Sequence, residues 1–179
     1  MLKELKALVQ VLSELSIPYV IVGGIAVIIH GRIRTTTDID LIINHNMVNY
    51  SDFVEKLQEN GFDASINDMK GFEEKVHISI FYKESMFRID IKGIYQEKDR
   101  ESIQEAKMIS FENMQIQIDT PENIIFNKLI FGSQVDIEDA LAVLKKNEQT
   151  LDFKKLKSKC EKYGILQEYN NLMNIFEVL

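Results

Sequence analysis

Tyr19-Val20-Ile21-Val22 runs straight into Gly23-Gly24, and this junction constrains the fold more than any other stretch. The run is apolar and rich in β-branched residues, which reads as a buried strand. The two glycines end it, and Ile25 to Ile29 start a short helix. A buried strand that hands over to a helix implies a sheet with helices packed on it. The turn also has a chemical use. Without side chains a phosphate can approach the backbone, and a helix N-terminus offers free N–H donors. Taken alone, the same turn is an ordinary strand-to-helix junction.

Asp38-Ile39-Asp40-Leu41-Ile42-Ile43 reads as a second buried strand, and it carries two acids. Period-two geometry points Asp38 and Asp40 to one side, with Ile39 and Leu41 toward the other. Carboxylates that close repel each other unless a cation stands between them. A pair of Mg²⁺ ions, about 3.5–4 Å apart in two-metal enzymes, would use such acids as bridging ligands. An isolated Asp-x-Asp is also compatible with two solvated acids at a strand end. Together, the glycine turn and the acid pair fit one site: the turn grips a triphosphate and the acids hold its metals.

These segments resemble the nucleotidyltransferase superfamily related to DNA polymerase β. The resemblance rests on Val22-Gly23-Gly24-Ile25-Ala26-Val27, a spacer of thirteen residues, then Asp38-Ile39-Asp40-Leu41. The spacer ends in His30-Gly31-Arg32-Ile33-Arg34-Thr35-Thr36-Thr37. This longer string looks most like the branch with abortive-infection-type nucleotidyltransferase toxins and the lincosamide and aminoglycoside nucleotidyltransferases. The resemblance implies a third carboxylate on a nearby strand, and Phe87-Arg88-Ile89-Asp90-Ile91 offers Asp90. Alternation puts Arg88, Asp90 and Lys92 on one face and Phe87, Ile89 and Ile91 on the core face. By resemblance, Asp90 is a metal ligand and the base for the attacking hydroxyl; the same face also permits an Asp90 paired with Arg88 or Lys92. The helix opening Thr120-Pro121-Glu122 resembles the one after the sheet in this branch, with Lys128 facing phosphates. Val135-Asp136-Ile137-Glu138-Asp139 resembles a Lys/Arg-Asp-x-x-Asp run, with Val135 in place of the basic residue. Asp136 reads equally well as a helix cap. Arg34 and Thr36 are candidates for phosphate contact or for fixing the loop, and Arg34 reads equally well as a salt bridge to a surface acid.

The rest of the chain supplies the scaffold. Leu2, Leu5, Leu8, Val9, Leu12 and Leu15 predict an opening amphipathic helix that stops before Pro18. Ser51-Asp52 is expected to cap a helix running to Asn60. Strands are expected at Val76 to Phe81 and Phe87 to Ile91, joined through Lys83-Glu84-Ser85. Residues 96–107 read as a short helix or a surface loop. Met108 to Phe111 and Met114 to Ile118 predict a hairpin around Glu112-Asn113. Thr120-Pro121-Glu122 is a strong helix start, with a hydroxyl cap, proline at the first position and an acid near the positive dipole end. Asp136 and Asp152 are expected to cap two more helices, and Gly164 to precede the last. The fold class is thus α/β (α+β): a nucleotidyltransferase fold with a mixed sheet flanked by helices over residues 1–119. A helical region over 120–179 is expected to pack on it and shape the acceptor side of a cleft.

Composition narrows the partners. The chain has 179 residues and a formal net charge of −7, which argues against extended non-specific nucleic-acid binding. It leaves room for a cationic small substrate. Lys154, Lys155, Lys157, Lys159 and Lys162 crowd one segment, which reads as a solvated basic face or a tRNA-contacting patch. A single cysteine, Cys160, excludes an internal disulfide, and His30, His45 and His77 lack metal-ligand spacing. No membrane span or secretory signal is legible, so a cytoplasmic protein is expected. The expected activity is Mg²⁺-dependent transfer of a nucleoside monophosphate from a nucleoside triphosphate to an acceptor, with pyrophosphate released. The acceptor stays open among a tRNA end, a protein and a small antibiotic-like molecule. The roles left open are toxin–antitoxin, resistance, and a non-catalytic nucleotide-binding or antitoxin partner.

Overall fold

The computed structural model describes residues 1–178. Helix α1 (Leu2–Glu14) buries Leu5, Leu8, Val11 and Leu12, the stripe that its helical spacing selects. Strand β1 (Tyr19–Val22) follows, then α2 (Gly23–His30) and β2 (Asp38–Ile43). A 3₁₀ turn at His45–Met47 leads to α3 (Tyr50–Glu59), whose N-cap is Asn49 rather than Ser51 or Asp52. The Asn49 side chain accepts from the backbone N–H groups of both of those residues. A two-residue β3 (Phe62–Asp63) and a one-turn α4 (Lys70–Glu73) come next, neither of them expected from sequence. β4 (Ile78–Tyr82) and β5 (Arg88–Gly93) start one to two residues later than predicted.

Residues 96–107 resolve the helix-or-loop alternative in favour of a helix, α5 (Glu97–Glu105). Its start is a capping box between Gln96 and Asp99. β6 (Lys107–Phe111) and β7 (Met114–Ile118) form the expected hairpin. Glu112 and Asn113 at its tip both have positive φ, 47° and 62°, as a tight two-residue turn between twisted strands demands. α6 (Pro121–Phe131) is capped by the Thr120 hydroxyl and ends at Gly132 in the left-handed conformation. α7 (Gln134–Asn147) is capped by Ser133, with Asp136 closing a capping box from the third helical position; this corrects the expectation that Asp136 is the cap itself. Asp152 caps α8 (Phe153–Lys162), and α9 (Leu166–Val178) follows.

Contacts divide the chain into two units: residues 1–25 with 35–119, and residues 26–34 with 120–179. The first holds the whole seven-stranded mixed sheet, in the order β3-β4-β5-β2-β1-β7-β6. β2 lies at its centre, antiparallel to β1 and parallel to β5. Ile39, Leu41, Ile89 and Ile91 are buried to 2% exposure or less, so the core faces of β2 and β5 are fully packed. Their opposite faces carry the acids.

The second unit is helical. Ile125, Phe126, Val143, Leu144, Leu156 and Cys160 are fully buried in it. Burial also pushes the Cys160 thiol up to about 11, so it packs as a small apolar group and not as a nucleophile. The lysines of α8 are not one solvated face. Lys159 is buried, with Nζ donating to Asn123 Oδ1 at 2.6 Å and lying over the Phe126 ring. Among the described residues no helix is long and apolar enough to cross a membrane.

Candidate active site

β2 and β5 run parallel in a register that pairs Asp38 with Arg88 and Asp40 with Asp90. Alternation along each strand then brings Asp38, Asp40 and Asp90 onto one face, with Arg88 among them. The Arg88 guanidinium is 2.9 Å from Asp90 Oδ2 and 3.4 Å from Asp38 Oδ2. The other oxygen of Asp90 accepts from the Ser79 hydroxyl of β4 at 2.6 Å, and Ser79 and Asp90 are register partners. Lys92, on the same face, is drawn instead to the buried Asp99 at 2.6 Å. Sequence reasoning singled out neither Ser79 nor the Arg88 bridge to Asp38. Alternation along β4 was the only signal for Ser79, and it needs the β4–β5 register to have meaning.

Asp40 carries the electrostatic strain of the group. Burial raises its carboxyl's proton affinity, and the charges of Asp90 and Asp38 raise it further. The Gly24 backbone N–H and the charge of His77 oppose this without cancelling it. Gly23 and Gly24 therefore have a structural task that is visible in their surroundings. Gly23 has φ +62°, and a Cβ on it would overlap the Asp40 carboxylate. A Cβ on Gly24 would fall 2.5 Å from Thr36 Oγ1. Thr36 in turn donates to the Asp38 carbonyl at 3.2 Å. The glycine turn, Thr36 and the acid pair thus form one close-packed unit.

Gly23→Ala tests that packing. A left-handed backbone costs a non-glycine residue about 1–2 kcal/mol, and the overlap with Asp40 adds to it. The variant is expected to melt several degrees below wild type. A melting temperature within a degree of wild type would show that the turn relaxes freely.

Three hard carboxylates on one face are a donor set suited to Mg²⁺. Among the described residues, no three His, Cys, Asp or Glu side chains converge as they stand on a point that could hold a metal. Asp38 and Asp90 share the Arg88 cation instead.

Arg34 and Lys128 belong to the second unit, where they meet on one carboxylate. Asp139, at 0% side-chain exposure, lies 2.5 Å from Arg34, 2.9 Å from Lys128 Nζ and 3.0 Å from Arg32 Nε. Lys128 also reaches Asp136 Oδ1 at 2.8 Å, and Arg32 reaches Glu138 Oε2 at 3.0 Å. Burial alone would raise the Asp136 carboxyl, but hydrogen bonds from Lys128 and Ser133 outweigh it and hold the group below its ordinary range.

The fold has relatives among solved structures. An antigenic nucleotidyltransferase-like protein from Paracoccidioides brasiliensis aligns over 98% of this chain and 92% of its own, with 17% identity and a TM-score of 0.58. ANT(2")-Ia in complex with adenylyl-2"-tobramycin aligns over 86% and 91%, with 12% identity and a TM-score of 0.56. The lincosamide antibiotic adenylyltransferase LnuA, lincomycin-bound, aligns over 79% and 94%, with 15% identity and a TM-score of 0.52. At these identities the likeness is one of fold. No curated protein matches the chain by sequence. A family model does: "Nucleotidyl transferase of unknown function (DUF2204)" matches residues 1–173. The chain belongs to that family and is a nucleotidyltransferase, with a mixed-sheet fold of the kind found in the antibiotic-modifying enzymes.

Proposed function

We propose that the enzyme transfers a nucleoside monophosphate from a Mg²⁺-bound nucleoside triphosphate to a hydroxyl of a small molecule and releases pyrophosphate. The observation that carries this reading is the in-register placement of Asp40 beside Asp90, with Asp38 on the same face. In this reading residues 1–119 carry the chemistry. Asp38, Asp40 and Asp90 would hold the metal. Bound there, Mg²⁺ would offset the acids' mutual repulsion and polarise the phosphates. Asp90 takes the proton of the acceptor hydroxyl. The hydroxyl oxygen bonds to the α-phosphorus, the bond from that phosphorus to the bridging oxygen breaks, and its electron pair leaves on pyrophosphate. Gly23 and Gly24 admit the triphosphate against the backbone, with Thr36 fixing the loop. The proposal extends to Arg34 and Lys128 as phosphate-facing cations, each of which would have to leave Asp139 in part to meet an anion.

A small acceptor is favoured over RNA by charge. The chain carries −7, and a nucleic acid would add its own phosphates to that field. Two fold relatives are complexes with an antibiotic or an adenylylated antibiotic, which supports the same acceptor class.

The test supplies each α-labelled triphosphate with Mg²⁺, first with total RNA and then with a panel of hydroxylated and amino-bearing small molecules. Label in a small product, with matching pyrophosphate, is the expected result. Label in RNA alone would overturn the acceptor class. Mg²⁺-dependent nucleotide binding that survives Asp38→Ala with Asp40→Ala would overturn the site.

A further inference from the structure

Two of the three acids of the β2–β5 face are already served by a cation of the chain's own. Arg88 is 47% exposed, and its guanidinium lies across Asp38 and Asp90 at 3.4 and 2.9 Å. The position follows from the strand register. Arg88 is the lateral partner of Asp38 and stands two residues before Asp90 on the same face, so its side chain has an acid beside it and another below. A guanidinium is planar and offers several donors in a fixed fork, which lets one side chain serve two carboxylates. With Arg88 in this position, no three acidic, His or Cys side chains among the described residues converge on a point that could hold a metal.

We infer that Arg88 is a built-in competitor for the metal: the ion and the guanidinium exclude each other, and Arg88 must swing off Asp38 and Asp90 before both can ligate. The inference rests on the reading of these acids as the metal site. Its chemistry is simple. A divalent ion within ligating distance of Asp38 and Asp90 would stand against a positive group at hydrogen-bond distance from the same oxygens, and like charges that close repel strongly. Arg88 can leave at little cost, because it is half exposed and an ion pair of that kind is weak. Ser79 stays on the other oxygen of Asp90, so the carboxylate keeps its orientation while Arg88 exchanges. The consequence is a site that binds free metal poorly. Metal that arrives on a triphosphate has additional contacts to draw on, so the resting site is guarded against stray ions.

The experiment is a titration of the full chain with Mn²⁺, followed by the ion's paramagnetic signal, with and without a non-hydrolysable triphosphate. Arg88→Gln is expected to bind Mn²⁺ about three- to tenfold more tightly than wild type in the absence of nucleotide. Arg88→Lys, which keeps the charge, is expected to stay close to wild type. Affinity that is unchanged or weaker in Arg88→Gln, with and without triphosphate, overturns the inference. So does Arg88→Lys binding as tightly as Arg88→Gln, since shape rather than charge would then be responsible. Asp40→Asn separates the two levels. If Mn²⁺ binding requires Asp40 but ignores Arg88, only the inference falls. If binding ignores Asp40 as well, the assignment of the metal site falls with it.

Discussion

Replacing Asp40 with asparagine is expected to slow transfer by about a thousandfold or more and, at neutral pH, to raise the melting temperature. On the proposed reading of Asp40 as a metal ligand, the loss follows from removing its charge: metal stabilisation of transition-state charge is worth several kcal/mol, and each ~1.4 kcal/mol is tenfold in rate. The gain in stability follows from the pKa. Burial raises the Asp40 carboxyl above the ordinary 3.8, and the charges of Asp90 and Asp38 add to that. A carboxyl with a raised folded pKa favours folding in its protonated form. That contribution is fully present below the ordinary value and is lost as pH rises through the folded pKa. At neutral pH Asp40 is ionised in the unfolded chain, so the folded site's preference for the protonated form works against the fold, and asparagine, isosteric and neutral, escapes that cost. The stability advantage of the variant should shrink in acid and vanish below about pH 3.8, where wild-type Asp40 is protonated in both states. Pyrophosphate release and melting curves in chelator, at neutral and acid pH, check both halves. Wild-type turnover, or a neutral-pH melting temperature below wild type, would refute the account.

Asp139→Ala is the other large effect, and it acts on the fold. Three cations, Arg32, Arg34 and Lys128, contact this one fully buried carboxylate. Lys128 is only 13% exposed. Removing the acid leaves three part-buried cations facing one another, and breaking a buried pair costs about 3–5 kcal/mol. For a chain of this size the melting temperature should fall by about 10 °C. Asp136 retains one contact to Lys128 and Glu138 one to Arg32, so partial rescue places the effect toward the lower end. A melting temperature within a degree or two of wild type would mean that the cations turn to solvent without cost.

What the sequence made legible was whatever depends on local period. Asp38 and Asp40 stand two apart in an apolar strand, so their shared face was readable, as was the face that Arg88, Asp90 and Lys92 share. Thr120-Pro121-Glu122 and Asp152 announced their helices because capping is chemistry within three residues. Where two local options competed, the choice was harder. Ser133 took the cap of α7 and left Asp136 the third position, although both residue types serve as caps. β3 was invisible because two residues have no period. Lys159 looked solvated because charge dominates its identity, yet its apolar stem lies on Phe126 and its head on Asn123. The Arg32, Arg34, Lys128 and Asp139 cluster joins residues as many as 107 positions apart, which no local rule reaches. The same holds for Arg88 across Asp38: its face was readable, its neighbouring strand was not.

That neighbouring strand has a consequence for how the enzyme comes into being. Asp40 and Asp90 are lateral partners in a parallel pair, fifty residues apart in the chain. Parallel strands cannot be joined by a tight turn, so this pairing must wait for a long loop to close. The antiparallel contacts of β4 with β5 and of β6 with β7 are local and can form early. These hairpins can hence form before Asp90 meets the acid pair of β2. Asp38 shares a strand with Asp40, but the part of the repulsion that Asp90 adds arises only when β2 and β5 pair. On the proposed reading, a complete set of acids therefore depends on one long-range contact rather than on any local hairpin.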